Sequence, residues 1–305
     1  MKVAIFASGE FALPITQHLK DKGELALVFT KTDKPKGRGM KLKPTPVAEL
    51  VDGDVEVIKA DKLNRDLFQQ YLTYDIDVAV VIDYGIYIPS YFYGEKAPFM
   101  VNVHPSLLPR WRGPAPIQWT IYSGDTKTGI TFHKVAKEID AGDILYQIEY
   151  PLTGREKATQ LEEMLANKVP AVWETFIDLY KKGKIEPIPQ GKNYTYAPMF
   201  EKSMFHIDFR KPCDEIDRLI RSLADVPGAY GIFKGKRVKI LYGECESTGS
   251  HGEVGSVIWA GKDRFGIQTG RGVYIPLELK PEGKKAMSVE DFIRGYKPEV
   301  GDIWS

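Results

Sequence analysis

Five short apolar runs, separated by stretches of helical periodicity, limit what the first half of this chain can fold into. Val3–Ala7, Leu25–Thr30, Val55–Ile58, Val78–Ile82 and Met100–Val103 are brief and mostly rich in β-branched residues, which predicts strands. Phe11–Lys20 and Arg65–Tyr74 lie between them with helix-like spacing. Strands alternating with helices predict an α/β fold with a largely parallel sheet covered on both faces. Such sheets bind ligands beyond the carboxyl ends of their strands, so chemistry is sought there first.

After Tyr150 the pattern changes. A long helix is expected from about Thr159 to Lys182, with Pro170 starting a second helix or kinking the first. Lys184–Asn193 carries two prolines and little periodicity, and reads as a linker. A helix over Asp214–Leu223 then precedes Gly-punctuated short strands: Tyr230–Phe233, Val238–Tyr242, Val254–Trp259, Phe265–Gln268 and Val273–Ile275. These predict a small β-barrel or sandwich. At 305 residues the chain suits two domains, expected over 1–186 and 204–305 with a linker over 187–203.

Composition removes several classes of function. Apolar residues make up 43% and charged residues 27%, as in a soluble globular protein. A net charge of +1 gives no whole-molecule attraction to nucleic acid, so any such attraction must be local. Glu10 interrupts the first apolar run, which argues against a secretory signal, and Val78–Ile82 is too short to span a bilayer. The chain is therefore read as cytoplasmic, membrane-free and monomeric. Cys213 and Cys245 cannot form a disulfide scaffold or a four-cysteine zinc site, and a reducing cytosol favours two free thiols.

The densest chemistry lies between Val101 and Pro116. On a strand, Asn102 and His104 point the same way, and Pro105 ends the ladder beside them. An amide donor beside an imidazole suits acyl transfer, because one stabilises an oxyanion while the other moves a proton. Spacing alone favours the plainer reading, a hydrogen-bonded pair that closes a strand. Asp140 and Asp143 flank a small turn, and a carboxylate reaching His104 would fix its tautomer; Asp143 reads as a turn residue. His133, alternating with Phe132 in a strand-like run, competes with His104 for the imidazole role. There is no HExxH, P-loop or CxxC, and Gly37–Leu42 is not a dinucleotide fingerprint, so hydride transfer and metal hydrolysis lose ground. Lys31–Lys43 holds six basic residues against Asp33 alone, with Gly37 and Gly39 between them, and could contact phosphates or simply be solvated. A second basic strip runs from Lys234 to Lys239.

Taken together, Asn102-Val-His104, Ser106-Leu-Leu-Pro109, Arg112-Gly-Pro-Ala-Pro-Ile117 and Asp140-Ala-Gly-Asp-Ile-Leu145 resemble the folate-dependent formyltransferase family. The resemblance implies that Asn102, His104 and Asp140 are catalytic. It also implies that Ser106, Leu107, Leu108 and Pro109, with Tyr84 and Gly85, contact the folate. It further implies a Rossmann-like catalytic domain, a smaller barrel similar to oligonucleotide-binding folds, and 10-formyltetrahydrofolate as co-substrate. No metal is called for, since the formyl carbon is already electrophilic. Lys31–Val47 is similar to the tRNA-contacting loop of the family's tRNA-acting members, and Leu279–Gly295 to their C-terminal signature. The implied acceptor is then the α-amine of initiator methionyl-tRNA, bound through Lys34, Lys36, Arg38, Lys41 and Lys43 for translation initiation. An amino-sugar nucleotide is the alternative acceptor. The chain departs from the family pattern at Asp83 (usually a small residue), at Val226 (usually tryptophan) and at His133. At that last position tRNA-acting members more often carry methionine, and sugar-modifying ones can carry histidine.

Overall fold

The computed structural model describes residues 1–36, 40–247 and 252–305, and the chain divides into two units. The first comprises Met1–Pro116, Lys127–Pro151 and Glu162–Ala197; the second comprises Ile117–Thr126, Leu152–Leu161 and Pro198–Ser305.

In chain order the elements up to Lys181 are β1 (Val3–Phe6), α1 (Leu13–Asp21), β2 (Leu25–Thr30), β3 (Lys34–Lys36), β4 (Lys41–Lys43), α2 (Pro46–Leu50), β5 (Glu56–Lys59), α3 (Arg65–Leu72), β6 (Val78–Val81), β7 (Phe99–His104), α4 (Pro116–Tyr122), β8 (Lys127–Lys134), β9 (Ile144–Pro151) and α5 (Ala158–Lys181). The seven-stranded sheet has the order β5-β2-β1-β6-β7-β8-β9. The first five strands are parallel, and β8 and β9 add an antiparallel margin. Residues of β1 and β6 are buried on both faces, as central parallel strands must be. On one face Phe6 stacks on Phe29 with centroids 4.4 Å apart, and Tyr71 and Phe92 meet them. On the other, Phe132 of β8 stacks on Phe176 of α5 at 4.9 Å. Pro170 does not start a second helix, and α5 continues through it. Val169 and Trp173, both wholly buried, anchor the helix on either side, so packing outweighs the missing hydrogen bond.

The antiparallel margin matters most for the site. Register sets Asn102 opposite His133 and His104 opposite Thr131, which places both histidines and the asparagine on one face. Apart from the sheet, β3 and β4 form a two-stranded ribbon pairing Lys34 with Lys43.

The second unit contains α6 (Cys213–Leu223), β10 (Tyr230–Phe233), β11 (Lys236–Glu246), β12 (Val257–Ala260), β13 (Phe265–Gln268), β14 (Val273–Pro281), β15 (Met287–Ser288) and α7 (Val289–Tyr296). The antiparallel order is β10-β11-β14-β13-β12, with β15 on β14. The last residues join its two edges: Phe233 of β10 bridges Trp304, and Ser256, just before β12, bridges Ile303. The sheet therefore closes as a small barrel, with Trp304 stacked on Phe233 inside it at 4.8 Å. The two cysteines are not free thiols: Cys213, the first residue of α6, is disulfide-bonded to Cys245 of β11. Their Cα atoms are 5.8 Å apart because α6 lies across β11, a juxtaposition that the 32-residue separation conceals. No helix among the described residues is long and apolar enough to cross a membrane.

Candidate active site

Strand β7 ends at His104, and the chain then turns through residues 105–115 before α4. The loop from β8 to β9 carries Asp140 back to the same place. Asp140 lies 3.6 Å (Oδ2) from His104 Nδ1, and its Oδ1 accepts from Asn102 Nδ2 at 3.2 Å. Its Oδ2 also accepts from the Gly113 amide at 2.9 Å. The three residues that sequence reasoning placed in a trio thus converge, and His133 joins them. His133 Nδ1 donates to the Lys134 carbonyl, so its bare Nε2 accepts the other Asn102 amide proton at 2.8 Å. Both N–H groups of Asn102 are engaged, one of them at the longer, weaker 3.2 Å.

His104 is fixed in the same manner. Its Nε2 lies 2.7 Å from the Trp111 carbonyl, which can only accept, so Nε2 carries the proton and Nδ1 is the atom that titrates. Burial lowers the imidazole pKa from its ordinary value, opposed first by the charge of Asp140. For Asp140 burial works upward, but the charges of His104 and His133 in their protonated forms, a hydrogen bond from His133 and the Gly113 amide outweigh it and hold the carboxyl at about 2. Near neutral pH the site therefore presents a carboxylate beside an uncharged imidazole nitrogen: two acceptors side by side, ready to share the N–H groups of an incoming amine.

The backbone here is held in costly conformations. Asp83, Trp111 and Asp140 have φ of 48°, 65° and 52°, where side chains other than glycine are uncommon. Trp111 is the bulkiest of the three. Its amide donates to Thr195 Oγ1 at 2.8 Å and its carbonyl receives His104, which fixes it from both ends. Gly113, at φ 112°, has the ring of Tyr196 where a Cβ would sit, so only glycine lets the chain bring its amide to Asp140.

The other expected site residues are distributed as follows. Ser106 and Leu108 are buried, and the Ser106 hydroxyl is spent on the Arg110 carbonyl at 2.7 Å. The Leu108 amide donates to Thr131 Oγ1, and Gln147 donates to the Leu108 carbonyl at 3.0 Å, so Ser106–Pro109 is folded back on β8 and β9. Leu107 packs over Gly129, leaving Leu107 and Pro109 the partly accessible members of the stretch. Tyr84 is buried edge-on to Phe6, while Gly85 (φ 64°) lies under the Lys31 ammonium; both follow β6, the neighbour of β7. Asp83 lies against Gly9, and its carbonyl accepts from Ser8 N at 3.1 Å. Lys34, Lys41 and Lys43 are exposed on the ribbon; Lys36 belongs to it through its backbone, and Arg38 lies outside the described residues. Sequence reasoning missed Trp111 and Gly113, which act through backbone groups and special dihedrals, and Thr195, whose hydroxyl accepts from the Trp111 amide. The stretch it read as a linker contributes Thr195 and pairs with the loop that follows β7. Two prolines and little periodicity gave no sign of that pairing.

Residues 1–175 match the formyl transferase family model and residues 199–297 match that of the formyl transferase C-terminal domain. Among proteins of assigned function, the methionyl-tRNA formyltransferase of Coprothermobacter proteolyticus is 34% identical over 302 residues, covering 99% of both chains. Among solved structures, an N-formyltransferase from Helicobacter canadensis, in complex with folinic acid and dTDP-3-aminofucose, aligns with TM-score 0.68 at 18% identity. It covers 90% of this chain and 98% of that one. A methionyl-tRNA formyltransferase from Clostridium thermocellum aligns with TM-score 0.56 at 18% identity over 82% and 95% of the two chains. At such identities the solved structures speak for the fold alone.

Proposed function

This chain belongs to the formyl transferase family, and on that premise we propose that it transfers the formyl group of 10-formyltetrahydrofolate to the α-amine of methionyl-tRNA. The observation that carries the reading is end-to-end similarity to proteins of that activity at 34% identity, covering both units. The site's chemistry agrees with it. The amine attacks the formyl carbon while its N–H groups point at His104 Nδ1 and Asp140 Oδ2, which lie 3.6 Å apart. As the new C–N bond forms, the carbonyl oxygen gains charge, and Asn102 turns its weaker N–H from Asp140 toward it. The amine proton passes to His104 Nδ1, where Asp140 stabilises the imidazolium. From Nδ1 the proton moves to N10 of the folate as the formyl–N10 bond breaks, leaving a formamide and tetrahydrofolate. His104 is thus a proton carrier through Nδ1, while its Nε2 serves to hold the ring against Trp111.

The β3–β4 ribbon supports a polyanionic acceptor. Lys34 and Lys43 are direct cross-strand partners, and Lys41 shares their face two residues from Lys43. Like charges set opposite one another cost stability, and a phosphate backbone turns that cost into attraction. The test is a single-turnover assay with 10-formyltetrahydrofolate and methionyl-tRNA, run beside an amino-sugar nucleotide. Formylmethionyl-tRNA should form within one turnover. Transfer to the sugar amine with methionyl-tRNA left untouched would reassign the acceptor.

A further inference from the structure

We propose that Gln190 is a positioning residue for the catalytic carboxylate, one side-chain amide tying the Asp140 turn to the loop of Arg112 and Gly113. Gln190 Nε2 donates to the Asp140 carbonyl at 2.9 Å and to the Gly142 carbonyl at 2.7 Å. Its Oε1 accepts from Arg112 Nε at 2.9 Å. The carbonyls require the nitrogen on their side and the guanidinium requires the oxygen on the other, so the amide has one orientation and is fully used.

What is bridged matters more than the number of bonds. Asp140 sits at φ 52°, a conformation that persists only where its surroundings over-determine it. Its side chain is set against His104 and Asn102, and it is held from the far side by the amide of Gly113, the residue after Arg112. Gln190 therefore grips both partners of the Gly113–Asp140 hydrogen bond through their own loops. Attachment of the segment itself does not depend on Gln190. Ile188 exchanges two 2.8 Å backbone bonds with Ile144, and the backbone of Arg112 pairs with Thr195 and Ala197. The Gln190 amide adds position to a segment already secured, and the position it sets is that of Asp140.

This inference rests on the role given to Asp140 above, and the experiment separates the two. The measurement is kcat and KM for methionyl-tRNA and for 10-formyltetrahydrofolate in Gln190→Ala, Gln190→Glu and Asp140→Asn, with thermal unfolding of each. Glutamate keeps the acceptor for Arg112 but offers no donor to the two carbonyls, so it restores adhesion without restoring position. We expect both Gln190 variants to lose kcat on the order of 100-fold, the cost of a catalytic group displaced by about an ångström, with both KM values unchanged within about threefold. Gln190→Ala placed in the Asp140→Asn background should lower the rate no further, because both act through one group. Wild-type kcat in Gln190→Glu, or in Gln190→Ala, would overturn the proposal while leaving Asp140 in place. Wild-type turnover by Asp140→Asn would remove the role of Asp140 and this inference with it. Should Gln190→Ala fail to fold, Gln190→Met, similar in volume and without an amide, carries the same comparison.

Discussion

Two histidines stand in one site, and hydrogen bonds decide between them. His133 has one nitrogen bound by a neighbouring carbonyl and the other by Asn102, so neither faces outward, whereas His104 keeps Nδ1 beside Asp140. His104→Ala and Asp140→Asn should therefore lose at least 100-fold in kcat with folate affinity retained, as measured by single turnover and by titration of the folate. His133→Met should keep at least a tenth of wild-type turnover, a barrier increase below about 1.4 kcal/mol. A collapse in His133→Met comparable to that of His104→Ala would reverse the assignment. The protonation state follows with a definite sign. Burial favours the uncharged imidazole, so the midpoint of His104 should lie below its ordinary 6.5. Asp140 is the leading opposing influence, so Asp140→Asn should move that midpoint lower still. Both are read from the His104 ring-proton resonance across a pH series, and a wild-type midpoint at or above 6.5 would contradict the geometry. The same sign makes the folded state lose stability as pH falls through 6.5, since the unfolded chain then takes up a proton that the site resists. Asn102, His104 and Asp140 were legible as candidates because they are polar side chains inside motifs that resemble the family's. Trp111 and Gly113 were not, because what they contribute is a carbonyl, an amide and positive φ.

At the scale of elements, legibility followed burial. Strands β2, β10 and β13 coincide with their predicted runs, because each is a short bounded segment, β2 and β13 mostly buried and β10 alternating between buried and half-buried residues. Strand β11 runs on to Glu246, past its apolar residues, because backbone pairing with a neighbour extends a strand where its own pattern has ended, whereas β14 runs on to Pro281 through Leu277 and the buried Leu279. Barrel closure had no periodic signal: it depends on Ile303 and Trp304 reaching strands remote in sequence. Trp304 is 1% exposed and stacks on Phe233 and Phe265, so Trp304→Ala should cost about 3–5 kcal/mol in the second unit. Urea unfolding followed by near-UV circular dichroism would show it. A loss under about 1 kcal/mol would mean that the closing segment contributes little.

For the molecule as a whole, charge is the informative quantity, because there is almost none in sum. With a net charge of +1, long-range attraction to a tRNA must come from where the lysines sit. The ribbon is the place the structure offers, with Lys34, Lys41 and Lys43 exposed on one face. Replacing these three by alanine takes the net charge from +1 to −2 (+1 − 3). If all three contact phosphates of a double-stranded stem, the slope of log affinity for methionyl-tRNA against log salt should flatten by up to about 2.7, and folate affinity should not change. The same arithmetic applies to Lys96, Lys181 and Lys262, three exposed lysines that are not part of the ribbon, whose replacement gives an equal net charge. Their loss should leave the slope within about half a unit of wild type, because a general field falls off within the Debye length whereas a released counterion belongs to a particular contact. Equal flattening in the two triple variants would show that only total charge matters and that the ribbon is a solvated surface. An unchanged slope in the ribbon variant, beside normal formylation, would place the tRNA contacts elsewhere; the exposed Lys236 and Arg237 of β11 would be the next residues to replace.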